Sequence, residues 1–160
     1  MSAPIVTDDD ARFMQGGVSI SVASRDRRFV PSLARSAGCR LSPDHRHVTI
    51  LLLRSQARQL LRDVADTGAI AVVFSEPSTH RTIQLKGSDA RIDTVQPADT
   101  AVADGHRTAF ADDIIPLGYV RELAYAIHGF TPDDLVAVTF TPTDIFQQTP
   151  GPGAGVRRDR

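Results

Sequence analysis

Residue types and spacing first suggest chemistry at Leu53-Arg54-Ser55-Gln56. This tetrapeptide follows an apolar run and precedes an amphipathic one, so it reads as a strand passing into a helix. A helix N-terminus presents unpaired N–H groups and the positive end of the helix dipole, and both attract anions. Arg54 adds a planar charge suited to phosphate or carboxylate. Ser55 either caps the helix or donates to a phosphate oxygen. On these four residues alone, an anion site and an ordinary capped helix with a surface arginine both stand.

The other chemistry-bearing residues point less far. Cys39 is the only cysteine, so no intrachain disulfide is possible, and with no base in view it reads as a small buried hydrophobe. His45 and His47 flank Arg46, His80 sits in a turn, and His106 and His128 fall in a helical region. None has a recognised ligand spacing, so no metal is expected. The acid pairs Asp112-Asp113 and Asp133-Asp134 lack the apolar surroundings that raise a carboxyl pKa, and they read as solvated faces. The glycines from Gly151 to Gly155 are not a phosphate loop, because no Lys-Ser/Thr follows them.

The elements that must position the junction follow from periodicity. Val18, Ile20 and Val22 alternate with polar and small residues, giving a half-buried strand over Gly17–Ser24. Ser32–Leu41 is a second strand. Arg46–Leu53 is a third, apolar enough to be buried on both faces. The helix expected to open at Ser55 carries Leu60, Leu61 and Val64 on one side and ends at Gly68. Ala69–Phe74 and a long strand Thr82–Val95, bent at Gly87, follow. Helices are expected over Pro97–Asp113 and Leu117–His128, then a last strand, Leu135–Thr141, and a short turn of helix or coil over Pro142–Gln148. Three strands, one helix and two strands favour a barrel closed by a single crossover helix over an alternating α/β fold.

Composition bounds the class. A chain of 160 residues fits one domain, and 41% apolar residues suffice for a packed core. With 18 basic and 19 acidic residues there is no net field to recruit nucleic acid or an anionic membrane. The apolar run Val48–Leu53 is too short to cross a bilayer. Met1–Asp10 is acidic, without the apolar stretch of a signal peptide, and reads as a flexible arm, so a cytoplasmic protein is expected. Residues 1–148 form the expected domain and residues 149–160 a flexible Pro/Gly-rich basic tail.

The segments GVSISVASRD, RFVPSLARSAGCRLS and HVTILLLRSQARQLLRDVADTGAIAVVFSEPSTHRTIQLKG, in that order, resemble the pyridoxamine 5′-phosphate oxidase-like, FMN-binding split-barrel family. The resemblance covers somewhat more than half of the chain. It implies a mainly β (α+β) fold: a six-stranded split β-barrel with Greek-key connections, one crossover helix and a few peripheral helices. It also implies a homodimer with the flavin at the subunit interface and a small-molecule substrate. Arg40 stands near the family's phosphate-reaching residue on the second strand. Ile50, Leu51 and Leu52 match the strand whose backbone meets the flavin. Arg54, Ser55 and Gln56 match the start of the crossover helix, with the positive charge displaced one place earlier than in the family. Thr82 takes the place of a flavin-contacting glutamine, and Gln84 lies on the same face, either against the flavin edge or facing solvent. Of the histidines, His80 is the best catalytic or flavin-edge candidate, with a solvated turn residue or a dimer contact as the alternative.

True pyridoxamine-phosphate oxidases end in an Arg- and Trp-containing segment, and this chain has no tryptophan. Vitamin B6 oxidation is therefore not expected. The resemblance implies an FMN-dependent oxidoreductase without naming its catalytic residues. The alternative is a non-catalytic carrier or sensor of the same fold, holding flavin, deazaflavin or haem.

Overall fold

Alternation in the first strand decides which face of the sheet is inside. In β1 (Ser19–Arg25), Ile20 and Val22 are fully buried while Ser21 between them is exposed. The inward residues of β2 (Pro31–Leu41), β3 (Val48–Leu53), β4 (Ile70–Ser75) and β5 (Thr82–Gly87) join them around Phe74 and Phe140, both fully buried. Each such side chain contributes about 1.5–3 kcal/mol by leaving water. The computed structural model describes residues 5–158. Its remaining strands are β6 (Arg91–Asp93), β7 (Leu135–Phe140), β8 (Asp144–Gln147) and β9 (Val156–Arg157).

The nine strands form one antiparallel sheet in the order β6-β7-β3-β2-β1-β4-β5-β8-β9, which is not closed by hydrogen bonds. With the helices it is an α+β split barrel, as expected, but six expected strands became nine. The long strand Thr82–Val95 breaks at Gly87: β5 pairs with β4 and β8, whereas β6 crosses to pair with β7. A Cβ on Gly87 would lie 2.7 Å from the Phe140 ring and 3.0 Å from the Thr141 carbonyl, so the chain turns where only glycine fits. The other two additional strands come from segments read as coil and tail.

β3 is buried on both faces. Val48, Ile50 and Leu52 enter the barrel core, while Leu51 and Leu53 pack with Ala37, Leu135, Ala137 and Ala103 beneath α3 (Asp99–Ile114). β2 bends between the two halves of the sheet at a bulge, where its register with β3 shifts between Ser36 and Gly38. Gly38 has φ +155°, and α3 lies over it, so that a Cβ there would meet Val102 and His106 at 3.4–3.5 Å. α4 (Arg121–Ile127) packs on α3.

Both chain ends differ from expectation. The arm read as flexible, Met1–Asp10, runs into α1 (Asp8–Met14), opened by a capping box in which the Thr7 hydroxyl accepts from the Asp10 N–H and the Asp10 carboxylate accepts from the Thr7 N–H. The segment read as a free tail returns to the sheet as β9, beside β8. There Arg158 donates to both oxygens of Asp10 at 3.1 and 2.6 Å. Burial pushes the Asp10 carboxyl pKa up, but the hydrogen bonds from Arg158 and Thr7 outweigh it and hold it below the usual range. Residues 1–4 and 159–160 of the expected arm and tail lie outside the described residues. Among the described residues no helix is long and apolar enough to cross a membrane.

Candidate functional site

The strand-to-helix junction exists, but its capping differs from the sequence reading. α2 spans Arg58–Thr67 with Ala57 at its N-cap, and no side chain caps it. Its C-terminus is as expected, with Gly68 at φ +66°. Residues 54–57 form the turn before the helix, and the Ser55 side chain makes no hydrogen bond to the helix's first N–H groups. Its N–H donates to one carboxylate oxygen of Asp134 at 2.9 Å, and its hydroxyl donates to the other at 2.5 Å. The Arg54 N–H donates to the Asp134 carbonyl at 2.8 Å. Ser55 therefore fastens the turn to the 3-10 turn Pro132–Asp134 and caps no helix. Hydrogen bonds from Ser55, then the charges of Arg54 and Arg58, hold the Asp134 carboxyl below its ordinary pKa.

Arg54 lines a surface cleft of about 320 Å³ together with Arg58, Leu61, Arg62, Ala65 and Ile92. Once Arg54 leads into a helix, Arg58 and Arg62 follow at four-residue steps on one side of it. Arg62 donates to Gln59, and no ion-pair partner within reach ties any of the three among the described residues. Three guanidinium forks beside an uncapped helix start make this a strongly positive surface suited to phosphate. Sequence reading found Arg54 and missed the other two. Their spacing was a signal that would have found them.

Arg40 has the opposite environment. Its Nε donates to Asp99 at 2.8 Å, and Asp99, at the start of α3, is 0% exposed. The Arg40 side chain is 23% exposed, and its Nη2 is buried without a hydrogen-bond partner. This pair joins β2 to α3. Ile50, Leu51 and Leu52 are fully buried, and their backbone is laddered to β2 on one side and β7 on the other. The Ser36 hydroxyl at the bulge also donates to the Leu51 carbonyl at 2.9 Å. Thr82 donates its hydroxyl to the His80 carbonyl, and the Gln84 side-chain amide oxygen Oε1 accepts from the Gln148 side-chain amide at 3.4 Å. The arginine cleft contains none of Arg40, Thr82 and Gln84.

Gln56 lines a different, water-sized hollow with Arg35, Ser36, Ala37 and His128. His128 and His106 are 4% and 5% exposed, with ring centroids 5.0 Å apart at 84°. Both nitrogens of His128 and Nε2 of His106 lack hydrogen-bond partners. Burial lowers the pKa of both imidazoles to about 4. The His128 and Arg35 charges add to this at His106, and Arg35 adds to it at His128 against a small opposing pull from the Ser36 backbone. Both rings are therefore neutral at pH 7.

His106 also borders a cleft of about 270 Å³ with Gln15, Cys39, Val102 and Gly105. Burial raises the Cys39 thiol pKa to about 12, which makes it inert. His80 is exposed in its turn at φ +61°. No group of three or more His, Cys, Asp or Glu suited to a metal lies together among the described residues.

No family model and no curated protein matches this chain. Solved structures do match its fold. HupZ of Group A Streptococcus is 17% identical with a TM-score of 0.56, over 94% of this chain and 100% of that one. A putative pyridoxamine 5′-phosphate oxidase of Lactobacillus delbrueckii is 11% identical with a TM-score of 0.51, over 88% and 92%. HutZ, the haem storage protein of Vibrio cholerae, is 11% identical with a TM-score of 0.50, over 89% and 94%. At these identities the likeness is one of fold.

Proposed function

Starting from the split-barrel fold it shares with pyridoxamine 5′-phosphate oxidase-like proteins, we propose that this chain binds a phosphate-bearing flavin at the α2 edge. FMN is the first candidate and a deazaflavin the second. The observation that carries this reading is the cleft lined by Arg54, Arg58 and Arg62 beside a helix start that no side chain caps. The fit is partial. Arg54 and Arg58 are free to fork onto phosphate oxygens, with Leu61 and Ile92 as an apolar wall. Arg40 is committed to Asp99, and Ser55 to Asp134.

A bound flavin would supply hydride or electron transfer to a small molecule. The chain's own part is to hold the phosphate charge, orient the ligand and keep water from one side of it. The reading is of a cytoplasmic homodimeric oxidoreductase with the flavin at the subunit interface, acting on a substrate other than pyridoxamine phosphate.

A haem-carrying role is the second reading, favoured by the unpartnered neutral imidazoles of His106 and His128, the form that ligates iron. It is the weaker one, since the hollow at His128 is only water-sized. Absorption of the purified protein separates the two. Flavin bands, or quenching of added FMN fluorescence on titration, support the first reading, and a Soret band supports the second. A colourless protein that leaves FMN fluorescence unchanged overturns the flavin reading. For a yellow protein, anaerobic bleaching by NADH or NADPH supports turnover, and no bleaching with either supports a carrier.

A further inference from the structure

Asp134 has no role in the flavin reading, yet it occupies both donors of Ser55, the residue that follows Arg54 of the arginine cleft. β7 begins one residue later, and Leu135 pairs with Leu53 in the sheet. That register fixes the Asp134 backbone beside Arg54, so the carboxylate is held in place by the fold. Its two oxygens take the Ser55 N–H and the Ser55 hydroxyl, which are the two donors Ser55 has to offer. This is how a serine at such a turn would hold two phosphate oxygens. The charges of Arg54 and Arg58, which line the cleft, also act on this carboxylate. It is thus an internal anion hydrogen-bonded beside Arg54, at the edge of a strongly positive cleft.

We propose that Asp134 is a specificity-determining residue of that cleft, limiting how much negative charge a bound cofactor can bring. A phosphate monoester carries about −1.5 to −2 at pH 7, and a phosphodiester near −1. A fixed carboxylate on the rim penalises the first more than the second, and an uncharged side chain least. Removing the charge while keeping an acceptor for Ser55 therefore favours the monoester selectively. This inference rests on the flavin-phosphate reading and assigns the charge selectivity of the same site.

The test compares FMN with riboflavin, which lacks the phosphate, by fluorescence titration of the full chain at fixed ionic strength. The proteins are the parent, Asp134→Asn, and Asp133→Asn, whose carboxylate makes no bond to Ser55. Asp134→Ser is the second variant should the first fail to fold by circular dichroism. The expected result for Asp134→Asn is FMN binding tightened roughly tenfold with riboflavin binding unchanged within about twofold. Asp133→Asn is expected to leave both nearly unchanged. Unchanged or weaker FMN binding in Asp134→Asn overturns the assignment while leaving the flavin reading intact. An equal gain in Asp133→Asn also overturns it, reducing the effect to general surface charge. Absence of flavin binding in every protein overturns the flavin reading and this inference together.

Discussion

The α2 edge and the α3–α4 layer both pack helices and arginines on the sheet around β2, and they use the arginines in opposite ways. Under α3, Arg40 is spent on Asp99, and His106 and His128 are buried and neutral. At the start of α2, Arg54, Arg58 and Arg62 line a solvent-facing cleft, and the neighbouring Asp134 carboxylate is tied to Ser55. A charge covered by a helix must be neutralised from within the protein, because leaving it unpaired costs several kcal/mol. A charge at the edge is solvated and remains available to a ligand. The family resemblance assigned Arg40 and Arg54 the same task. Their surroundings differ: Arg40 gives its Nε to Asp99, whereas among the described residues no ion pair holds Arg54.

The largest way to break this contrast is Asp99→Ala. It strands a mostly buried guanidinium, and a loss of about 3 kcal/mol is expected. In a chain of this size that is a fall of roughly 10 °C in thermal midpoint, measurable by calorimetry. Retained stability would show Arg40 to be free after all.

Acid comes next. His106 and His128 have folded pKa values near 4 against an ordinary 6.5, so the unfolded chain binds more protons between those limits. Their contribution is complete above pH 6.5 and is lost as pH falls toward 4, by about 2 kcal/mol per histidine between pH 7 and pH 5. Denaturant melts across that window check it. Replacing both residues with Gln should flatten the pH dependence, and an unchanged slope would place its origin elsewhere.

At the other region the expected effect is on binding. Arg54→Ala with Arg58→Ala should weaken FMN roughly tenfold or more while moving the thermal midpoint by no more than about 2 °C. Equal FMN affinity would remove the α2 cleft as the phosphate site. The smallest expected signal is at Cys39. A thiol reagent at pH 8 should find almost no reactive sulfur until the protein is denatured, since the Cys39 thiol is buried with a pKa of about 12.

Strand alternation, the doubly apolar β3, the glycine after α2 and the strand β7 were all legible in the residues, because each is a local pattern. β8 and β9 were not legible. Their residues alternate weakly, and they become strands by pairing with β5 and with each other. α1 was hidden among acidic residues, although its capping pair, Thr7 with Asp10, was there to be read. At the candidate site Arg54 was legible, and so was the arginine spacing that follows it. Asp134 was not, because eighty residues of chain separate it from Arg54.

The sequence by itself therefore determined the barrel, the crossover helix and a basic strand-to-helix junction, since periodicity and composition act over short stretches. Only the tertiary structure decided which arginines are free. Asp99 reaches Arg40 because α3 is laid across the β2 bulge, and Asp134 reaches Ser55 because β7 pairs beside β3. Whether a charge holds the fold or meets a ligand depends on what the chain brings to it from a distance, and no local pattern records that.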